Sequence, residues 1–231
     1  MGHRAPKTPA ASPPQRGARP PWGGPAAAGV DLPEIPLFPL RSVLFPDGLL
    51  RLKVFEARYL DLMSACLREG KPFGVVALRS GPEVGTAAGP VEFEARGTLA
   101  ELTDVDSAQP GILQVSCRGT QRFEVIASTQ QADGLWLAQA RPIAADDDTA
   151  PTAELIETVR GLAGAMKALR AQGAEPFVEP YRFERAGWVA NRWCEILPIS
   201  LAAKQKLLEL QDPLVRLKLV DEYLRGKGVV G

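Results

Sequence analysis

Residues 34–79, EIPLFPLRSVLFPDGLLRLKVFEARYLDLMSACLREGKPFGVVALR, change their hydrophobic period twice, and prolines and glycines mark each change. Pro36, Pro39 and Pro46 withhold backbone donors from a sheet interior, so Ile35 to Phe38 is expected as an edge or entry strand and Phe45-Pro46-Asp47-Gly48 as a turn. Strand character returns at Leu49, Leu50, Leu52, Val54 and Phe55. From Glu56 the spacing becomes helical: Tyr59, Leu60, Met63, Cys66 and Leu67 recur at steps of three and four, and Gly70 with Pro72 stops them. Phe73 to Leu78 reads as a short apolar strand.

A loop from Gly81 to Pro90 follows, and four further β runs come after it: Phe93 to Val105; Leu113, Val115 and Cys117; Phe123, Val125 and Ala127; and Leu135 with Leu137, Trp136 lying on the other face. Turns are expected at Gln109-Pro110-Gly111, Gly119-Thr120 and Ala132-Asp133-Gly134, which gives antiparallel hairpins in sufficient number to close a small barrel. Ala144 to Pro151, containing Asp146, Asp147 and Asp148, marks a boundary; those carboxylates suit the positive end of the next helix better than a metal cage. Beyond it, Leu155, Val159, Leu162, Met166 and Leu169 repeat at helical spacing until Gly173. A second helix is expected after Pro180, with Phe183, Ala186, Ala190, Trp193 and Leu197 along one stripe. Ser200 caps a third helix, and Asp212 caps a fourth with Pro213 at its first position. Their short connections predict a small antiparallel bundle.

Charge and cysteine content narrow the function. Residues 31–150 carry 17 acidic against 11 basic side chains and residues 151–231 carry 10 against 12, so the β part is not suited to a phosphate backbone. Cys66, Cys117 and Cys194 are odd in number, widely spaced and set in apolar patterns, which reads as reduced structural thiols in a cytoplasmic protein. Residues 1–30 hold seven prolines and four cations without an acidic residue; they are expected to be a disordered tail in which only Trp22 has the bulk to dock. No window approaches the ~20 apolar residues that cross a bilayer.

LPEIPLFPLRSVLFPDG, VFEARYLDLM and FGVVALRSGPEVG, then RGTLAELTDV, GILQVSCRGTQRFEVI and DGLWLAQARPI, and finally LPISLAAKQKLLELQDPLVRLKLVDEYL occur in that order. Together they resemble the N-terminal, substrate-binding domain of Lon-type ATP-dependent proteases across nearly all of residues 32–225. The resemblance implies an α+β fold: a PUA-like β-barrel over 31–148 with one inserted helix, a helical bundle over 149–226 and a short tail over 227–231. It also implies a protein that binds unfolded or exposed polypeptide, as a stand-alone domain or beside a separate ATP-dependent protease, with no cofactor and no metal.

The chemistry expected of a whole Lon enzyme is missing from the sequence. Gly70-Lys71 runs into Pro72 and Gly226-Lys227 into Gly228, so no phosphate-cradling loop with a Lys-Ser/Thr step exists. The one histidine, His3, lies in the tail. Ser200 and Lys204 have the spacing of a helix cap rather than of a catalytic pair. Two groups are candidates for polypeptide binding. Tyr181, Trp188 and Arg192 follow at steps of seven and four on a helix side distinct from the Phe183 stripe, and the alternative is that the aromatics merely cover the barrel. Glu56 and Arg58 present a carboxylate and a cation that could grip a peptide terminus, or simply fasten the first helix to the barrel. An RNA-binding PUA-like module is the rival function, and it needs a basic stripe with exposed aromatics.

Overall fold

The computed structural model describes residues 32–83, 85 and 90–231. The segment 1–30 with Trp22, and part of the loop 81–90, lie outside them. Six strands form one mixed sheet: β1 (Leu32–Leu40), β2 (Leu49–Val54), β3 (Phe73–Ser80), β4 (Glu92–Gln109), β5 (Ile112–Gln130) and β6 (Trp136–Pro142). Their order is β2-β5-β4-β3-β1-β6, and β5 also pairs with β6. The pairings therefore lead from β5 through β4, β3, β1 and β6 back to β5, leaving only β2 with a single strand neighbour among the described residues. Helix α1 (Ala57–Glu69) carries the chain between strands, which lets β1 and β3 run parallel. It stops at Gly70, whose positive φ of 65° closes the last turn through a bond to the Cys66 carbonyl.

Two expectations about strands are corrected. β1 is not an edge strand, since it pairs with both β6 and β3. The prolines are tolerated because those neighbours are staggered: β6 pairs at Leu32 and Ile35 to Leu37, β3 at Leu37 to Leu40, so Pro36 faces a strand on one side and Pro39 on the other. Gly119-Thr120 is not a turn but the middle of β5, whose first half pairs with β2 and last part with β6. The glycine is needed for a close approach: a Cβ there would collide with the Phe45 carbonyl, while the Gly119 N–H donates to Gly48 O and its carbonyl accepts from Asp47 N, both at 2.8 Å.

The helical part follows a single 3-10 turn at Ala153–Leu155 and consists of α2 (Ile156–Ala171), α3 (Ala186–Ile196), α4 (Leu201–Glu209) and α5 (Pro213–Gly226). Both local caps are where their chemistry places them. Ser200 Oγ accepts from Ala203 N at 3.2 Å, and Asp212 Oδ1 accepts from Leu214 N and Val215 N at 2.8 and 3.1 Å. α3 departs from expectation in two ways: it begins at Ala186, after an extended Arg185, and every residue from Ala186 to Cys194 is buried. A helix enclosed on all sides cannot divide into a core stripe and a free aromatic face.

Val43, Phe45 and Ala77 from the sheet region join one apolar cluster with Leu162, Trp193, Leu217 and their helical neighbours. A second cluster packs α1 through Tyr59, Met63 and Cys66 against Phe38, Phe73 and Cys117. All three cysteines are free and buried; burial pushes Cys66 up to about 11 and Cys117 and Cys194 up to about 12, so these thiols are packing groups rather than nucleophiles. No helix of the described residues is long and apolar enough to cross a membrane.

Candidate functional site

Where the sheet meets the helices, buried cations stand beside the apolar contacts. Arg122 of β5 is 4 % exposed and Arg216 of α5 is 1 % exposed, and both converge on Asp146. Arg122 donates to Asp146 Oδ1 at 2.7 Å and to the carbonyls of Leu208 and Leu210 at 2.9 and 2.8 Å, satisfying the open C-terminal end of α4. Arg216 donates to Asp146 Oδ2 at 2.5 Å, to Asn191 Oδ1 at 3.0 Å and to the Leu207 carbonyl at 3.0 Å. Asp146 thus serves as the shared counter-ion of a buried junction instead of a charge at a helix start. Gly187 is required beside it, because a Cβ there would lie 2.5 Å from Asp146 Oδ2. Asp148 pairs with Arg185 at 2.8 Å, and no metal-holding cluster of three or more His, Cys, Asp or Glu exists among the described residues.

A second clamp is built on Arg192, which is fully buried. Its guanidinium donates to the carbonyls of Pro46 and Asp47, the former at 2.8 Å, and to Glu195 Oε1 at 2.7 Å. These bonds tie the turn before β2 onto α3. Gly48 is needed in that turn, as a Cβ would strike Glu195. Burial pushes the Glu195 carboxyl up to about 8, against the opposing charges of Arg192 and Lys204. In the unfolded chain the same group titrates near ~4.3, so the folded state holds this proton to higher pH. The stability it contributes is complete below the unfolded value and is lost as pH rises through about 8. In urea unfolding between about pH 5.5 and 8.5, wild type is expected to lose stability relative to Glu195→Gln as pH rises; parallel curves would contradict this.

Above these clamps a cleft of about 850 Å³ opens between β1, α1 and β5 on one side and the entry to α3 on the other. Leu32, Ile35, Leu62, Pro72, Leu99 and Trp188 supply apolar wall, and carboxylates and arginines stand among them. Trp188 is 4 % exposed, and its indole Nε1 has no hydrogen-bond acceptor.

The structure brings three of the five sequence candidates together. The Tyr181 ring lies 6.0 Å from that of Trp188, and the Arg192 guanidinium carbon lies 5.6 Å from the Trp188 ring. Of the three, only Trp188 lines the large cleft; Arg192 sits behind it, and the Tyr181 hydroxyl accepts from Arg170. Glu56 and Arg58 are elsewhere. Arg58 bonds Glu56 at 2.8 Å and the Gly134 carbonyl at 3.1 Å, pinning the start of α1 to the turn between β5 and β6. Arg58 also borders a smaller cleft of about 530 Å³ with Tyr59, Trp136 and Pro39. The sequence reading missed Asp146, Arg122 and Arg216 as a unit because nothing local signals a contact spanning such separations.

An α+β domain with an open cleft, and with its buried charges engaged in holding sheet to helices, has the form of a binding module. The chain matches the family model for the ATP-dependent protease La (LON) substrate-binding domain over residues 34–226 and belongs to that family. It is 28% identical over 207 residues to Lon protease 2 of Myxococcus xanthus, covering 85% of this chain and 24% of that protein. It is 29% identical over 215 residues to the Lon protease of Paraburkholderia phytofirmans, covering 90% and 26%. The chain thus spans about a quarter of the length of these relatives. The crystal structure of a Lon N-terminal domain protein from Xanthomonas campestris superposes with a TM-score of 0.65 at 31% identity, covering 83% of this chain and 99% of that one. The N-terminal domain of a Mycobacterium avium complex Lon protease shares the fold, with a TM-score of 0.59 at 15% identity and coverage of 83% and 97%.

Proposed function

We propose that this protein is a non-catalytic recognition domain that holds exposed, extended segments of unfolded polypeptide in the cytoplasm and acts alone or beside a separate ATP-dependent protease. Within this reading the strands over 31–148 are a PUA-like barrel, the helices over 149–226 are the subdomain that completes the cleft, and 1–30 and 227–231 are tails. The observation that carries it is the cleft of about 850 Å³, with Trp188 among the apolar residues of its wall. An extended chain brings apolar side chains and main-chain polar groups together, and this site offers apolar wall with charged side chains among it. Tyr181 and Arg192 pack around Trp188, while Arg58, bonded to Glu56, borders a separate, smaller cleft. The same argument disfavours single-stranded RNA, which calls for stacking platforms in a basic groove.

Fluorescence anisotropy with a labelled, reduced and alkylated polypeptide tests the reading, with labelled single-stranded RNA as the comparison. Saturable binding of the polypeptide and none of the RNA is expected. Trp188→Phe keeps a ring and reshapes the wall; it should weaken polypeptide binding by about threefold or more while folding stability stays near wild type. Absence of polypeptide binding, or tighter binding of RNA, overturns the proposal; equal binding by Trp188→Phe removes the indole from it.

A further inference from the structure

The smaller cleft, of about 530 Å³, is built differently from the large one. Pro39, Pro82 and Pro90 line it and contribute apolar surface without a backbone donor. Trp136 stands half-buried among them, its ring 5.3 Å from that of Phe93. Tyr59 is 4 % exposed; Phe38 stacks on its ring at 3.8 Å and the Arg58 guanidinium lies over it at 4.8 Å, so the hydroxyl is the part left to meet a ligand. That hydroxyl has no hydrogen bond among the described residues, yet unlike Arg58 Nε it is not sealed from water. Burial raises its pKa, Arg58 opposes the rise, and Glu56 and Glu83 add to it, so the group is a donor at neutral pH within the field of Glu83. Glu83 and Asp133 are the carboxylates of this cleft. Each accepts one backbone N–H, from Arg41 at 3.3 Å and Leu135 at 2.9 Å, and neither has an ion pair among the described residues. The nearby cations are engaged: Arg58 with Glu56 at 2.8 Å, and Arg41 with the Gly81 carbonyl at 3.0 Å.

A ligand suited to these walls presents carbonyls, few N–H groups and a cation, which is the chemistry of a proline-rich segment carrying arginine. Residues 13–22 of this chain, PPQRGARPPW, have that composition, and the whole of 1–30 holds four Lys and Arg and no acidic residue. The point of attachment permits the contact. β1 begins at Leu32 and pairs Leu37 with Trp136, so the cleft lies about 17 Å along the strand from its start. From Trp22 to Leu32 an extended chain reaches ~30 Å. We propose that the smaller cleft receives residues 13–22 of the same chain: the Tyr59 hydroxyl donates to a main-chain carbonyl of the segment, its prolines pack on Trp136 and the proline wall, and Arg16 and Arg19 face Glu83 and Asp133. This contact is separate from the large cleft and does not depend on what that cleft binds. Tethering holds the segment at a local concentration in the millimolar range, so an interaction with a Kd of about 100 μM as a free peptide is filled roughly nine times in ten.

The test uses the full chain and a labelled peptide of residues 11–24, followed by fluorescence anisotropy. In wild type the peptide competes with the tethered copy. In a chain of equal length carrying Pro13→Ala, Pro14→Ala, Arg16→Glu, Arg19→Glu, Pro20→Ala and Pro21→Ala the cleft is free, and the peptide should bind about tenfold more tightly than to wild type. Two changes placed in that altered-tail chain, Tyr59→Phe and the pair Glu83→Gln with Asp133→Asn, should each weaken the peptide by about fivefold. The amides keep the oxygens that accept from Arg41 and Leu135, and urea unfolding checks that each variant is folded. Equal affinity for wild type and the altered-tail chain, or binding to neither, overturns the proposal. A gain that survives both cleft changes places the segment elsewhere, the large cleft included, and also overturns it. A wild-type curve that approaches the altered-tail curve at low protein concentration means that a second copy supplies the segment, and overturns the same-chain contact.

Discussion

Asp146→Ala is expected to lower folding stability by about 3–5 kcal/mol, the cost typical of removing one partner from a buried ion pair. Two guanidiniums, on Arg122 and Arg216, depend on this carboxylate, and each is almost wholly removed from water. Burial already works against the charged form of Arg122, with Asp146 as the opposing influence. Without it the two cations would face each other across the site with only carbonyls and Asn191 as acceptors. Equilibrium unfolding in urea measures the effect. Asp147→Ala is the control: its side chain is exposed and unpaired, so it should stay within about 0.5 kcal/mol of wild type. In an Arg216→Met background the Asp146→Ala loss should shrink, because the pair acts as a unit and the cycle reports their coupling. A loss below about 1 kcal/mol for Asp146→Ala alone would mean that water or a shifted side chain takes the place of the carboxylate.

Much of the fold was legible because its determinants are local. Ser200 and Asp212 announce α4 and α5 through bonds closed within three residues, and Gly70 ends α1 by a backbone conformation that glycine adopts without penalty. Misread positions are those at which one residue type serves two purposes. Gly119 has the composition of a turn but provides a close approach between β5 and the Phe45 carbonyl. Pro36 and Pro39 signal a sheet edge, and each indeed lacks a neighbour on one side, but on opposite sides, so β1 as a whole is interior.

The site was legible in part. Trp188 was identifiable as a large aromatic on a helix of the second half, and it does line the cleft. The two-sided helix behind that choice was not observed, because periodicity gives only the angle between residues and says nothing of how many elements surround a helix. The Asp146 junction was illegible for a related reason. Its partners lie 24 and 70 residues away, and the adjacent Asp147 and Asp148 gave the run the character of a solvated charge cluster. The rim carboxylates Glu34 and Glu101 are indistinguishable in sequence from any other exposed acid on a strand; only the folding of β1 and β4 around one cleft gives them a common address.

Trp188→Ala is expected to be the second most damaging substitution, through the core and not through binding alone. The indole packs 5.2 Å from the Phe183 ring and 6.0 Å from Tyr181, with Arg192 stacked at 5.6 Å, and it belongs to the cluster that joins α3 to the sheet turn. Truncation removes most of a large buried side chain and leaves a cavity among rings that cannot collapse fully, a change that costs about 3–5 kcal/mol. Arg192 would also lose one face of its packing, loosening the clamp on Pro46 and Asp47. Phenylalanine retains part of the ring contact and removes a donor that the free protein leaves unsatisfied, so its net effect on folding should stay within about 1 kcal/mol. Urea unfolding of the two variants separates the roles of this residue. A large loss for alanine and a small one for phenylalanine places the ring in the core. An alanine variant as stable as wild type would instead make the indole a cover over the cleft that the fold does not need, and would place its role in recognition.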